Sequence, residues 1–279
     1  MKHITIKLNN AKNNSYSIFI KEKKLKFQIE KHSVIIALGG GVVGDLAGFI
    51  ASTYMRGISY IQVPTTLLAM VDSSIGGKTG IDTPQGKNLV GSFWQPQAVF
   101  IDLKYLETLP QEQFKNGLIE AVKMFITSDV SSFLYLERNI EKLLHRDQKV
   151  LKNVIAKAIQ IKAHIVGKDE RESGERMILN FGHTIGHALE KLSKYKILHG
   201  YAVALGIVVE AGLAVDIGKL KESDYLRIKK FMVNKIGIDL KYLHAYKSEE
   251  ILEHIKNDKK TRNGKPHFVV LKEIGKVYR

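Results

Sequence analysis

The chain contains no cysteine, which excludes disulfide bridges and thiolate metal ligands and is typical of proteins of the reducing cytosol. The first seven residues alternate like a strand and lack the apolar core of a signal peptide. No apolar run is long enough to predict a membrane span, because residues 34–51 are interrupted by four closely spaced glycines and by Asp45. We therefore expect a cytoplasmic protein without a membrane partner.

Length and charge narrow the class further. A chain of 279 residues with 44% hydrophobic residues predicts one large or two moderate globular domains. The formal net charge of +15 is compatible with nucleic-acid binding, with a general lysine excess, or with a pocket for a phosphorylated or carboxylated substrate. The lysines are scattered and do not alternate with aromatic residues, so we expect no nucleic-acid partner, and the other two explanations stay open.

Three histidines lie close together in the sequence, at His183, His187 and His199. If a helix begins at residue 183, the first two lie one turn apart on the same face. Such a cluster predicts a divalent-metal site or a general-base cluster, with ordinary surface or core histidines as the alternative. The spacing differs from the His-Glu-x-x-His pattern of zinc proteases, so a zinc protease is not expected.

A glycine-rich turn follows the first strong strand pattern. Residues 33–38, which are apolar from Val34 onward, predict a strand buried on both faces, and they lead directly into residues 39–41, all glycine. A strand, a glycine turn and a helix N-terminus can bind a phosphate, although a plain tight turn is the alternative. Residues 59–64 and 98–102 predict two more buried strands, and Thr65 and Thr66 the start of a helix.

The remaining patterns divide the chain near residue 110. Residues 71–80 and 86–88 predict loops dense in polar side chains, but the glycine spacing does not match a P-loop NTPase. After residue 110 helical patterns dominate, and we predict an α/β domain over residues 1–110 and a mostly α-helical domain over 111–279. The predicted elements are two short strands within 1–20, helices at 149–167 and 201–218, two helices within 222–256 and a strand at 268–271.

Within the first helix after residue 110, Asn116, Glu120 and Lys123 are spaced to point the same way. A solvated stripe is the alternative to a functional role for these three.

Taken together, these motifs resemble those of the 3-dehydroquinate synthase family, one of the sugar phosphate cyclases. The resemblance implies a Rossmann-like parallel sheet, here truncated, followed by the helical domain. The matching strings are ALGGGVVGD at 37–45, YMRG at 54–57, QVPTTLL at 62–68, VDSSIGGK at 71–78, GKN at 86–88, EAVK at 120–123, NFGHTIGH at 180–187, HG at 199–200 and DKK at 258–260.

The resemblance implies a role for each matched position. A zinc ion, or cobalt in its place, is held by Glu120, His183 and His199. NAD is contacted by Gly39, Gly40, Gly41, Asp45, Thr65, Thr66, Lys87 and Thr108. Substrate is bound by Arg56, Asp72, Lys78, Asn88, Lys162, Lys259 and Lys260. The catalytic set is Lys123, Arg176, Asn180 and His187.

The implied reaction converts 3-deoxy-D-arabino-heptulosonate 7-phosphate, a phosphorylated sugar acid, to 3-dehydroquinate and phosphate in the shikimate pathway. It proceeds through transient oxidation by NAD, β-elimination of phosphate, re-reduction and an intramolecular aldol closure. Lys162 and Arg176 resemble the family's carboxylate-binding pair, which favours this family over cyclases of uncharged sugar phosphates. Arg56 resembles an arginine that reaches across a homodimer interface.

One departure from the family lies before the glycine turn. Family members carry further strand–helix units there, with a Gly-Glu-x-x-Lys motif that contacts the NAD ribose, whereas only about thirty residues precede residue 33 here. The departure predicts weakened NAD binding. A shortened, catalytically impaired homologue that retains metal and substrate binding, or another sugar phosphate cyclase, therefore stands as the alternative.

Overall fold

The computed structural model describes residues 2–6, 16–21, 33–84, 86–256 and 266–278. The chain divides into two compact units. Unit 1 comprises Met1–Gly117 and Lys142–Arg176, and unit 2 comprises Leu118–Glu141 and Met177–Arg279. The division at residue 110 stays a prediction about domains. It differs from these units in placing residues 111–117 and 142–176 in the C-terminal domain.

Strands dominate the first part of the described chain and helices the second, as the sequence predicts. The strands are β1 (Lys2–Ile6), β2 (Tyr16–Lys21), β3 (Val34–Gly39), β4 (Ser59–Pro64), β5 (Lys78–Thr83), β6 (Gly86–Phe93), β7 (Ala98–Asp102), β8 (Leu271–Glu273) and β9 (Lys276–Val277). The helices are α1 (Gly41–Thr53), α2 (Gln111–Ser128), α3 (Val130–Leu144), α4 (Gln148–Lys168), α5 (His183–Leu192), α6 (His199–Asp216), α7 (Glu222–Lys230), α8 (Lys241–His244) and α9 (Ser248–Lys256).

Five strands form the main sheet of unit 1, in the order β1-β2-β7-β4-β3. Strands β2, β7, β4 and β3 are parallel, and β1 is antiparallel to β2. The interior strands are rich in isoleucine and valine, whose branched side chains suit a pleated and buried surface. Tyr60, Val99 and Ile101 are fully buried there. The predicted strands at 59–64 and 98–102 and the Rossmann-like parallel sheet are thus confirmed.

Strand β3 is present as predicted, but its predicted burial on both faces is wrong. Ile36 and Leu38 are 47% and 55% exposed, whereas Ala37 on the opposite face is buried. Among the described residues β3 pairs with β4 alone, so it forms an edge of the sheet. An edge strand has a hydrogen-bonded neighbour on one side only. Within the described residues, the face of β3 that carries Ile36 and Leu38 is also largely uncovered.

The region predicted as loops at 71–80 and 86–88 is largely regular. A π-helical turn spans Ala69–Ser73, and β5 and β6 form an antiparallel hairpin. The sequence did not predict this hairpin because it contains several glycines, and glycine normally weakens a strand. Here it permits a close backbone approach: a Cβ atom on Gly91 would lie 2.2 Å from the Thr79 carbonyl oxygen.

Unit 2 is helical with a short terminal hairpin. Helix α5 begins at residue 183, the condition under which His183 and His187 share a face, and α6 begins at His199, two residues earlier than predicted. Residues 222–256 form α7, a π-helical turn at Phe231–Ile236, α8 and α9 rather than two helices, because Gly237 adopts a left-handed conformation (φ +86°) that ends the turn. The terminal strand begins at residue 271 rather than 268 and pairs with β9.

Helix α6 is the one helix in the described part of the chain that is long and apolar enough to span a membrane. Eleven of its eighteen residues are buried within the protein, among them the carboxylate-bearing Glu210. The Glu210 Oε2 atom accepts a hydrogen bond of 2.8 Å from the backbone N–H of Gly182, at the start of α5. This burial is typical of the core helix of a soluble protein.

Candidate metal centre and active site

One carboxylate and two imidazoles converge in unit 2. Glu120 comes from α2, His183 is the first residue of α5, and His199 is the first residue of α6. One donor atom of each lies within 4.8 Å of the others. The Nε2 atoms of His183 and His199 lie 3.8 Å and 3.5 Å from the Glu120 Oε1 atom. This is the donor set that a catalytic zinc ion uses.

The spacing of the two imidazoles depends on a close crossing of α5 and α6. Gly182, the N-cap residue of α5, is in the left-handed region (φ +78°), which a glycine adopts without strain. A Cβ atom on Gly206 would lie 1.9 Å from the Gly182 carbonyl oxygen, so no larger residue fits between the helices. The crossing therefore fixes the position of His183, at the start of α5, relative to that of His199, at the start of α6.

The Glu120 carboxylate is completely buried and is held by its own helix. Lys123 lies one turn later and is also buried. Its Nζ atom donates a hydrogen bond to the Glu120 Oε2 atom and forms an ion pair with it. Together with the buried Asn116, these residues exclude the solvated stripe that the sequence left open. A buried charge needs a partner, and the ammonium group of Lys123 supplies one.

Two further groups lie beside this cluster. The His187 ring centroid is 5.2 Å from that of His183 and 6.1 Å from that of His199. Glu190, on α5, places its Oε2 atom 3.1 Å from the His199 Nδ1 atom. Burial lowers the pKa of His199, but the hydrogen bonds and charges of Glu120 and Glu190 outweigh it and raise that pKa to about 9.

The sequence motifs did not assign a role to Glu190. The signal was nevertheless present, since Glu190 lies seven positions after His183 and three after His187, on the same helical face.

Two predicted substrate residues, Asp72 and Lys162, meet within unit 1, and two others contact acidic residues there. The Lys162 Nζ atom donates to the Asp72 backbone oxygen at 2.7 Å and pairs with the Asp72 carboxylate. Lys78, at the start of β5, forms an ion pair with Glu172. Asn88, on β6, donates its backbone N–H to the Asp82 carboxylate at 3.0 Å. The acidic partners hold the two lysine side chains in defined positions.

Arg176 is buried and engaged with backbone oxygens. Its guanidinium donates hydrogen bonds to the carbonyls of Gly76 and Glu170. Its own backbone N–H donates to the Asp169 carboxylate at 2.9 Å. Burial raises the pKa of Asp169, but backbone N–H groups of Arg176, Ser173 and Gly174 outweigh this and lower it to about 2. Asp169 therefore fixes the backbone that carries Arg176.

Four of the predicted cofactor residues contact one another around the turn between β3 and α1. The Thr65 backbone N–H donates to the Gly39 carbonyl at 2.9 Å, and the Thr66 hydroxyl accepts from the Ala69 N–H at 3.2 Å. A Cβ atom on Gly40 would lie 3.2 Å from the Thr66 methyl carbon, so the turn packs closely. Lys87, on β6, and Thr108, after β7, are exposed. Lys259 and Lys260 lie outside the described residues.

Asp45, on α1, has a raised pKa of about 7, mainly because burial and the Asp72 charge disfavour its ionised form. Between pH 4 and 7 the folded protein therefore binds a proton that the unfolded chain does not, so the free energy of unfolding falls as pH rises. We expect Asp45→Asn to be more stabilising at pH 8 than at pH 5 by about 1–3 kcal/mol. Urea unfolding of both proteins at the two pH values measures this; an equal difference at both would contradict it.

Comparison with known proteins gives matches along most of the chain. The family model described as "3-dehydroquinate synthase N-terminal" matches residues 3–116, and "3-dehydroquinate synthase C-terminal" matches residues 117–261. The chain is 48% identical to the 3-dehydroquinate synthase of Thermodesulfovibrio yellowstonii over 254 residues, which cover 91% of this chain and 70% of that protein. It is 48% identical to the enzyme of the same name from Dictyoglomus thermophilum, over 89% of this chain and 69% of that protein.

Solved structures of two cyclases share the fold. A 2-epi-5-epi-valiolone synthase from Streptomyces hygroscopicus, with NAD+ and Zn2+ bound, matches with a TM-score of 0.81 and 28% identity, over 88% of this chain and 68% of that one. A 2-deoxy-scyllo-inosose synthase complexed with carbaglucose-6-phosphate, NAD+ and Co2+ matches with a TM-score of 0.73 and 30% identity, over the same shares.

Proposed function

The chain belongs to the 3-dehydroquinate synthase family, and we propose that it converts 3-deoxy-D-arabino-heptulosonate 7-phosphate to 3-dehydroquinate and phosphate. The observation that carries this proposal is the convergence of Glu120, His183 and His199 in a chain whose relatives of that name are 43–48% identical. The chain spans 67–73% of the length of these curated relatives. Their identity to this chain does not favour a catalytically impaired homologue or another cyclase.

The metal that fits this donor set is zinc, with cobalt as a substitute. A carboxylate and two imidazoles leave coordination positions open for substrate oxygens. In the solved cyclases the bound ions are Zn2+ and Co2+. We propose Glu120, His183 and His199 as the ligands, with Lys123 balancing the charge of the buried carboxylate.

NAD fits the turn at residues 39–41. Backbone N–H groups at the start of α1, together with the partial positive charge of a helix N-terminus, suit its pyrophosphate. The proposed NAD contacts are Gly39, Gly40, Gly41, Asp45, Thr65, Thr66, Lys87 and Thr108. When bound, NAD accepts and returns a hydride, and the metal ion acidifies a substrate hydroxyl.

The residues of the chain have the remaining tasks of binding and moving protons. We propose that Lys78, Lys162 and Arg176 hold the anionic ends of the substrate, with Asp72 orienting Lys162. Arg56, Asn88, Lys259 and Lys260 complete the proposed substrate set. Asn180 and His187 hold or transfer protons at the substrate hydroxyls, and an oxygen of the leaving phosphate takes the proton lost in β-elimination. An unchanged turnover of His187→Ala would remove His187 from this role.

The test of the function is a phosphate-release assay on the purified full-length chain with Zn2+, NAD and substrate. We expect phosphate release that requires NAD and is abolished by a metal chelator, and a product that a dehydroquinate dehydratase consumes. Phosphate release that yields a different carbocycle would favour another cyclase. If calorimetry detects no NAD binding at millimolar concentration and no phosphate is released, the chain is a binding protein instead.

We propose that the enzyme is a homodimer in which Arg56 reaches the substrate of its partner. Arg56 is exposed, and it and Met55 have positive φ angles of +67° and +48°, a strained conformation that is stored at functional sites. The preceding helix α1 also exposes apolar residues such as Val42 and Ile50, as an interface would.

Subunit mixing tests the role of Arg56. We expect Arg56→Ala to lower activity about a hundredfold, because a charge-assisted contact to phosphate is lost. Co-refolding Arg56→Ala with the inactive His183→Ala should restore about a quarter of wild-type activity. About half of the dimers are then mixed, and in each mixed dimer one of the two sites combines an intact His183 with an intact Arg56 from the other subunit. No restoration, or a monomer in sedimentation experiments, would contradict the proposal.

We propose a cytoplasmic location with the same function, since a chain without cysteine suits the reducing cytosol. Fractionation of cells that express the full chain tests it, and recovery of the enzyme with membranes would contradict it.

A further inference from the structure

Glu190 is a buried carboxylate that neither the sequence motifs nor the proposed ligand set uses. It lies on α5, two turns after His183, and is 4% exposed. Its backbone oxygen accepts hydrogen bonds from the Tyr195 N–H at 2.7 Å and the Ser193 hydroxyl at 2.9 Å, so its place in the last turn of α5 is fixed. A carboxylate is buried at a cost unless a charged or hydrogen-bonding group meets it.

One group that meets the Glu190 carboxylate is the His199 imidazole. The Glu190 Oε2 atom lies 3.1 Å from His199 Nδ1, while the other ring nitrogen, Nε2, lies 3.5 Å from Glu120 Oε1. Metal binding requires the neutral form of the imidazole, which has one N–H and one lone pair, and an ionised carboxylate can only accept a hydrogen bond. The hydrogen bond therefore requires the proton on Nδ1 and leaves the lone pair on Nε2, the nitrogen that faces Glu120.

We propose that Glu190 is a positioning residue that fixes the tautomer and ring orientation of His199 for metal binding, an inference that rests on the proposed metal site. Carboxylates that accept the second N–H of a ligating histidine raise its basicity as a ligand, and their loss costs metal affinity. In this arrangement Glu190 does not itself bind the ion.

The structure also contains the competing arrangement. Donor atoms of His187, Glu190 and His199 lie within 4.8 Å of one another, so Glu190 could serve as a ligand in a second donor set. The two arrangements use different nitrogens of His199. If Glu190 positions the ring, the metal binds His199 through Nε2. If Glu190 is itself a ligand, the metal binds His199 through Nδ1, the nitrogen that lies beside Glu190.

The first test measures Zn2+ affinity of the full chain by competition with a chromophoric chelator, without reference to activity. We expect Glu190→Ala to weaken binding about 10–100-fold and Glu190→Gln to weaken it less, since an amide oxygen can still accept the hydrogen bond. The matched control is Glu137→Gln, which also removes one carboxylate charge. Glu137, on α3, forms an exposed ion pair with Arg227, on α7, so this change should leave the Zn2+ affinity unchanged. Unchanged affinity in Glu190→Ala, or a loss as complete as in His199→Ala, would overturn the proposal.

The second test needs no variant and so does not depend on folding. Nitrogen-15 NMR of labelled histidine in the Zn2+-loaded wild-type chain assigns the proton and the metal to the ring nitrogens of His199. We expect a proton on Nδ1 and the metal on Nε2; the reverse assignment would overturn the proposal. A wild-type chain that binds no Zn2+ would instead remove the proposed function.

Discussion

Replacing His183 by alanine is expected to lower the rate of phosphate release about a thousandfold, which corresponds to about 4 kcal/mol of transition-state stabilisation. The reason is geometric. His183 offers Nε2 3.8 Å from the buried Glu120 carboxylate, and its removal leaves Glu120 and His199 as the only members of that donor set. Two donors hold a divalent ion far more weakly than three, and water takes the vacated position.

Activity at several Zn2+ concentrations, together with metal content by atomic absorption, measures the effect. Wild-type protein treated with a chelator should regain activity when Zn2+ is restored, and His183→Ala should not. The matched control is His244→Ala, an exposed histidine of α8 in the same unit, which should keep wild-type activity. A His183→Ala enzyme within tenfold of wild type would contradict the proposed ligand set.

Replacing Gly206 by alanine is expected to destabilise the protein by about 3 kcal/mol or more. The added Cβ atom would lie 1.9 Å from the Gly182 carbonyl oxygen and 2.8 Å from its carbonyl carbon. Both are backbone atoms, which cannot rotate away as a side chain would, so α5 and α6 must separate. We expect a fall in melting temperature of about 6–12 °C, and weaker Zn2+ binding because His183 and His199 begin these two helices.

Gly212→Ala is the matched control, since it makes the same substitution six residues further along α6. The nearest atom to its new Cβ is on the Tyr225 ring at 3.5 Å, an ordinary van der Waals distance. There the higher helix propensity of alanine should stabilise the protein by up to about 1 kcal/mol. Calorimetry of the two variants decides the matter, and equal melting temperatures would show that the crossing tolerates a methyl group.

The elements that the sequence predicts correctly are those with a strong local pattern. Strands β4 and β7 are short apolar runs bounded by proline or polar residues, and helix α4 shows sustained helical periodicity. The hairpin of β5 and β6 has no such pattern, because its glycines serve a close pairing between strands. Burial of β3 was predicted wrongly because an apolar strand looks the same at the edge of a sheet as in its middle.

The candidate site shows the same limit. Its three proposed metal ligands came from a family resemblance, and the helical spacing of His183 and His187 alone indicated only a cluster. No local pattern connects Glu120 to His199, which lie 79 positions apart in the sequence and meet through packing of α2 against the start of α6. The pairs Asp72–Lys162 and Glu190–His199 are likewise tertiary contacts, which the spacing of these residues in the sequence does not reveal.

The proposed metal donors all belong to unit 2. An ion that they hold therefore favours the native state of that unit over its unfolded chain, by about 2.7 kcal/mol when free metal is a hundred times the dissociation constant. Starvation for the ion would then reduce the number of enzyme molecules as well as their turnover, because a larger unfolded fraction is exposed to cellular proteases. The concentration of the free ion in the cell would in this way help set the abundance of the protein.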